Sequence, residues 1–175
     1  MPDNPGPEEP ARWYAERDYE RAAAAAGRLL QSDGSDPGLW VVLVRALANL
    51  GALEAAGTSC AAALDRHRSS AELFYLHAVL LAESRRHREA ADAARRALYL
   101  DRNCVMAHLV LGGALLRLGD RAGARRAFRN VERLLAGMPV DAVVPASDGE
   151  RAGRLAEMAR VQLQLVEVAG KGAVA

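Results

Sequence analysis

The chain has 175 residues, 51% of them hydrophobic and 26% charged, with a formal net charge of +1. This composition suits a globular domain or a short repeat array, and a charge so near zero gives no general attraction to nucleic acid or any other polyanion. Cys60 and Cys104 make no disulfide framework, no His/Cys cluster has metal-ligand spacing, and no apolar run reaches the roughly 18 residues of a membrane span. The expectation is a cytoplasmic protein with no metal, no cofactor and no membrane insertion. Alanine, leucine and arginine dominate and strand-spaced Val/Ile clusters are missing, so the chain reads as nearly all helix.

Residues 1–10 are acidic and proline-rich and read as a disordered linker, with neither the basic start nor the apolar run of a secretory signal. From residue 37 onward a pattern returns every 34 residues, in register on Trp40, Phe74 and His108. The units are 37–70, 71–104 and 105–138, each a helix A, a tight turn and a helix B. In the first, Asp36 caps and Pro37 takes the first helical position. Helix A runs to about Leu50, Gly51 ends it, and helix B covers 53–66. The second unit has helices at 71–83 and 87–100. The third has 104–118 and 121–136, separated by Gly119 and Asp120 as turn and cap.

Positions 4, 7, 8 and 11 of each unit share one face of helix A. They are Trp40, Leu43, Val44 and Leu47, then Phe74, His77, Ala78 and Leu81, then His108, Leu111, Gly112 and Leu115. Position 20 is Ala56, Ala90 and Ala124, small enough for helices A and B to approach closely. Positions 24 and 27 are Cys60 and Ala63, Ala94 and Ala97, Phe128 and Val131. Before this array, residues 11–36 form a partial or degenerate unit. Residues 17–22 match positions 15 to 20, Ala26 and Leu29 fall at 24 and 27, and Trp13 lies in a short helix A.

A 34-residue period of helix pairs is that of the tetratricopeptide repeat (TPR), which this chain resembles. The departures are His77 at position 7, glycine at position 8 only at Gly112, and Arg68, Arg102 and Ala136 where proline is usual. The resemblance implies an all-α fold: a TPR superhelical solenoid of about three and a half helix-turn-helix repeats with a C-terminal capping helix. After a loop at 139–147, Ser147 and Glu150 have capping-box spacing and predict that last helix over 148–168. Leu155, Met158, Val161, Leu165 and Val168 form its apolar stripe, with Leu163 and Val166 off it, and residues 169–175 read as a frayed tail.

A narrower resemblance lies in Ala97-Leu98-Tyr99-Leu100-Asp101, in Ala107-His108-Leu109-Val110-Leu111-Gly112, in Val144-Pro145-Ala146-Ser147-Asp148-Gly149 and in Ala152-Gly153-Arg154-Leu155. These stretches are similar to the C-terminal TPR tails of the chemotaxis-receptor methyltransferases, the CheR family of Wsp-type and Frz-type signalling. The resemblance implies a parent enzyme that moves methyl groups from S-adenosylmethionine to receptor glutamates. No strand–glycine–helix unit for such a cofactor occurs in these residues, so the chain reads as a non-catalytic module. The implied partner is a methyltransferase catalytic domain, a chemoreceptor cytoplasmic region, or both. A generic adaptor, chaperone or assembly scaffold is the alternative, and the oligomeric state stays open.

In TPR arrays the concave face is built from helices A. The resemblance places Val41, Arg45, Tyr75, Val79, Glu83, Leu109, Leu116 and Arg117 on it. Val41, Val79, Leu109 and Leu116 make that groove apolar for a surface, which suits an extended or helical partner. The competing occupant is the chain itself, through its linker or last helix. Val41 and Arg45 stand where chaperone-binding TPRs carry the Lys/Asn carboxylate clamp, which argues against acidic chaperone tails as ligands.

A second candidate is electrostatic. Residues 85–133 hold twelve arginines and five acids, a balance of +7 against −6 for the rest. Arg95, Arg96, Arg125, Arg126, Arg129 and Arg133 form a possible basic docking face for acidic helices, or simply a solvated face. Nucleic acid is not expected there, because aromatic side chains are scarce. His77, His108 and Cys60 read as packed core residues. Cys104, at a helix start, has no base or second thiol nearby in sequence to activate it.

Overall fold

The computed structural model describes residue 6 and residues 8–171, with side chains to residue 168. The expected linker at 1–5 and 7, and the tail at 172–175, lie outside these residues. The helices are α1 (Glu9–Ala15), α2 (Tyr19–Ser32), α3 (Pro37–Asn49), α4 (Leu53–Arg66), α5 (Ala71–Glu83), α6 (His87–Leu100), α7 (Val105–Arg117), α8 (Arg121–Leu135) and α9 (Ala152–Lys171). Among the described residues the sole β pairing is an isolated bridge between Val143 and Arg151. The architecture is an all-α TPR solenoid. Consecutive helices pack on each other, and α1, α3, α5 and α7 also touch in succession, forming the inner wall.

Local chemistry sets the boundaries. Asp36 accepts from the Gly38 amide at 2.7 Å with Pro37 behind it, Ser70 accepts from Leu73, and Asp18 and Asp120 accept from Arg21 and Gly123. Each occupies an orphan amide of a helix start. Four A–B turns use a left-handed residue at a constant interval of 34: Arg17 (φ 63°), Gly51 (74°), Arg85 (59°) and Gly119 (81°). Each turn closes with the same pair of backbone bonds, as in Ala52 to Leu47 and Gly51 to Ala48. An L side chain costs about 1 kcal/mol in that conformation, so Arg17 and Arg85 are kept there by the surrounding helices. The residue range 11–36 thus uses the same turn as the full units.

The core follows the small positions. Ala56, Ala90 and Ala124, and likewise Ala22, are fully buried, as are Cys60, Ala63, Ala94, Ala97 and Val131. At Gly112 an added Cβ would lie 2.6 Å from the Phe128 ring, so the glycine at position 8 makes room for the large residue at position 24. Position 4 has a shared polar role. The Trp40 indole N–H donates to the Gly34 carbonyl at 3.0 Å, and His108 Nε2 meets the Arg102 carbonyl at 3.1 Å. Residues 34 and 102 are equivalent in the repeat. His108 is buried and Cys60 lies 3.6 Å from the Leu73 carbonyl, so both are packed side chains.

Two expectations at the ends are corrected. Residues 9 and 10 belong to α1, with Pro10 buried, and not to a disordered linker. The capping helix begins at Ala152, not at residue 148, and its backbone continues to Lys171. Ser147 is not its N-cap. The buried Ser147 hydroxyl lies 2.7 Å from the Val144 carbonyl, to which it donates, inside a loop closed by Val144–Glu150 and Ala152–Ala142 backbone bonds. The apolar stripe is also rotated. Ala152, Leu155, Ala159, Leu163 and Val166 are buried, stepping by 3, 4, 4 and 3, and α9 packs them on α8. Met158, Val161, Leu165 and Val168 face outward, and only Leu155 of the expected stripe is in the core. Both sets satisfy helical spacing, so periodicity alone could not choose between them.

Candidate peptide-binding groove

The inner wall of α1, α3, α5 and α7 is divided in two. Over its first half lies the loop between α8 and α9. Val144 is buried, Ala146 packs into the cluster containing Val44 and Tyr75, and Asp148 reaches α1 and α3. Arg45, on the first full helix A, is the centre. Its Nη1 donates to Asp148 at 2.9 Å, and its Nη2 donates to Glu72 at 2.9 Å and to the Ala146 carbonyl at 3.1 Å. The Tyr14 hydroxyl donates to Asp148 at 2.8 Å and accepts from Asn49 at 3.2 Å. One strap residue is therefore tied to positions 134 and 103 residues earlier in the chain.

The electrostatics match this seating. The Arg45 side chain is 13% exposed, and its Nε is buried with no partner. Burial, then the bond to Asp148, drives the Tyr14 phenol well above its usual range. Burial pushes Tyr75 up to about 12. Both phenols are neutral, and Tyr14 is the donor of the two, while Arg45 is a cation held between two carboxylates.

The second half is open. A cavity of about 570 Å³ is lined by Val79, Ala82, Val110, Gly113 and Ala114 together with Glu83, Arg85, His87 and Arg117. At Gly113 nothing lies within 4 Å of where a Cβ would stand. It adjoins a second depression of about 420 Å³ that shares Val79 and Glu83 and reaches Arg45 and Asp148. The groove therefore continues from the strap into empty space.

The sequence-derived lining separates accordingly. Val79 and Leu116 are half-buried, and Glu83 and Arg117 are exposed; of these, Val79, Glu83 and Arg117 line the open cavity. Arg45 is in the groove but engaged by the strap, and Val41 is half-buried beside the same cluster. Leu109 is corrected from surface lining to core, at 9% exposure, whereas Tyr75 is buried at 6% yet still lines the second depression. Leu109 joins the cluster that includes Val144 and Leu155. Tyr14 and Asp148 were missed. Tyr14 lies on the seven-residue helix of the partial unit, in register with Ala48, whereas the expected lining comes from the full units; Asp148 reads as a helix start until the loop is folded back.

The basic candidates are exposed. Arg95 pairs with Asp92 at 2.8 Å, Arg96 stands over the Phe74 ring at 5.9 Å, and Arg133 meets Asn130 at 3.5 Å. Arg125, Arg126 and Arg129 share α8 with it, all exposed. They sit away from the groove, on helices B. Burial raises the Cys104 thiol, so nothing there makes a reactive thiolate. Among the described residues no group of three His, Cys, Asp or Glu side chains could hold a metal, and no helix is long and apolar enough to cross a membrane.

A tetratricopeptide-repeat family model matches residues 11–71 and 75–139, most of the chain and both halves of the groove's helical wall. The chain belongs to the tetratricopeptide-repeat family. This TPR chain also shares its fold with solved structures of low identity. MamA aligns at 18% identity over 95% of this chain and 97% of its own, with a TM-score of 0.63. YrrB, described as a TPR protein with an unusual peptide-binding site, aligns at 20% over 93% and 88%, with a TM-score of 0.64. PcrH, solved in complex with the chaperone binding region of PopD, aligns at 18% over 75% and 90%, with a TM-score of 0.65. No curated protein matches the sequence.

Proposed function

We propose that this TPR chain is a protein-interaction module that takes an extended segment of a partner along its concave groove. The observation that carries this reading is the open trough on the inner wall, where Val79, Val110 and Gly113 stand among Glu83, Arg85, His87 and Arg117. Apolar side chains interspersed with charged ones give a peptide both burial and points that fix its register. We further propose that it regulates or positions a chemotaxis-type protein-glutamate methyltransferase on its receptors, in the cytoplasm. That finer reading rests on the sequence wording of residues 97–112 and 144–155, with the exposed arginines of α8 as a docking face for acidic receptor helices.

The test is titration calorimetry of the chain against a cognate methyltransferase catalytic domain and, separately, a receptor cytoplasmic fragment. Binding that is lost in Val79→Arg and Gly113→Arg supports the groove. Binding lost in Arg125→Glu with Arg129→Glu supports the basic face. No heat with either protein at concentrations that reveal about 100 μM affinity, roughly −5.5 kcal/mol, sinks the methylation reading. A second reading, a TPR adaptor or chaperone outside methylation, is favoured by the fold shared with PcrH, which was solved with a bound segment of PopD.

A further inference from the structure

We infer that residues 144–148 are an internal ligand of the groove, and that the partner segment it stands in for is an extended peptide carrying an aspartate or glutamate that pairs with Arg45. The inference rests on the peptide-binding reading above and names the chemistry of what binds.

The strap sits as a bound peptide would. It presents a backbone carbonyl, Ala146, and then a carboxylate two residues on, Asp148, to one guanidinium. Arg45 reads both through two nitrogens, the planar geometry for which arginine is suited. The Tyr14 hydroxyl supplies a second donor to the same carboxylate at 2.8 Å. Ala146 and Val144 are small and apolar enough to fit under the inner wall, while the Pro145 side between them is exposed. The polar receiving groups all come from the array, on α1, α3 and α5, while Val144 is buried in the cluster of α7, α8 and α9. The ligand groups all come from a loop that follows the array.

The strap is also not relaxed. Ala146 and Asp148 both adopt left-handed backbone, φ 61° and 54°, next to Gly149 at 88°. For alanine such a conformation costs about 1 kcal/mol and is held by surrounding contacts, whereas aspartate tolerates it better, so the strain lies chiefly at Ala146. Outside their own loop, these two residues are held by Arg45 and Tyr14. A partner carboxylate that takes over Arg45 removes part of what imposes the strain. The open cavity adjoins Arg45 and Asp148, so an incoming chain can bind in the open half first and then replace the strap. Glu72 stays on Arg45 in both states and holds the guanidinium in place.

The experiment uses the full chain and a fluorescent peptide of its own residues 142–150. Anisotropy is read for wild type, Asp148→Ala and the double variant Asp148→Ala with Arg45→Ala. Asp148 is half exposed, and Asp148→Asn serves as the isosteric check should the alanine form be poorly helical by circular dichroism. The peptide is expected to bind Asp148→Ala about tenfold or more tightly than wild type, since an internal competitor acts at millimolar effective concentration. The gain disappears in the double variant and with a peptide carrying Asn in place of its Asp. Equal binding to wild type and Asp148→Ala, no binding to Asp148→Ala, or indifference to the peptide carboxylate each overturns the inference and leaves the strap as a structural buttress. These results are separable from the calorimetry above. A partner that binds the open trough with undiminished affinity when Arg45 is replaced keeps the interaction reading and removes this one.

Discussion

The first and third full repeats follow one 34-residue plan and differ most at two adjacent positions of helix A. Position 8 is Val44 in the first and Gly112 in the third, and position 9 is Arg45 and Gly113. At position 8 the difference is a volume trade. Val44 shares a buried cluster with Cys60, whereas Gly112 lies under Phe128, so the large side chain has moved from helix A to helix B. At position 9 the difference is functional. Arg45 fills its part of the groove and captures the strap, while Gly113 leaves the corresponding space empty. Repeat positions set the backbone, and single side chains set what each stretch of groove can hold.

Transplanting residues between the repeats breaks or sharpens that comparison. Gly112→Val copies the first repeat into the third and places atoms within the Phe128 ring, so it is expected to cost about 3 kcal/mol by overpacking. Adding Phe128→Cys, the first repeat's partner, restores much of it. Chemical denaturation of the four proteins of the cycle measures this. Independent costs with no rescue would remove the volume-trade account.

The repeats also differ in what covers their ends, and α9 over the third is the test. Leu163→Asp buries a charge against α8 and is expected to cost about 2 kcal/mol, whereas Leu165→Asp on the outer face stays within about 0.5 kcal/mol. Thermal melts decide, and the reverse ranking would mean that α9 packs on the stripe its spacing first suggested.

A smaller effect comes from the A–B turns. Helix α4 starts at Ala52 with no side-chain cap, while α8 starts at Asp120, whose carboxylate accepts from Gly123. Ala52→Asp is expected to stabilise the chain by about 1 kcal/mol in urea titration. No change in midpoint would mean that the amides of α4 are already satisfied by water.

The smallest effect is a pH dependence that separates the two position 4 residues. His108 titrates and Trp40 does not. Burial, the leading cause, lowers His108 below its usual value, so the unfolded chain takes up a proton before the folded one does. The stability from neutral His108 is complete above about pH 6.5 and is lost as pH falls below it. His108→Trp, which keeps the ring N–H for the Arg102 carbonyl, should flatten the acid slope of denaturant midpoints between pH 7 and 5. His77 is lowered as well, again chiefly by burial, so a part of the slope should persist.

Much of the helical plan was legible in the chain. The caps at Asp36 and Asp120, the glycines at 51 and 119, and the small residues at 56, 90 and 124 act within a few residues or at fixed repeat offsets. They state their structural role locally. The candidate site was legible only as a direction: helices A and one face. Tyr75 and Leu109 fall on that face by register, yet the packing of neighbouring segments buries them. Asp148 carries the strap's charge, but capping-box spacing at Ser147 offered a local reading that the folded loop does not use.

The sequence by itself determined the repeat, its helices, its turns and the order in which they stack, because each depends on contacts within about one period. Only the tertiary structure decided which face of α9 is buried and which half of the groove is filled. Both depend on where residues 136–151 return, across more than a hundred residues of separation, and no periodic pattern encodes a contact made once.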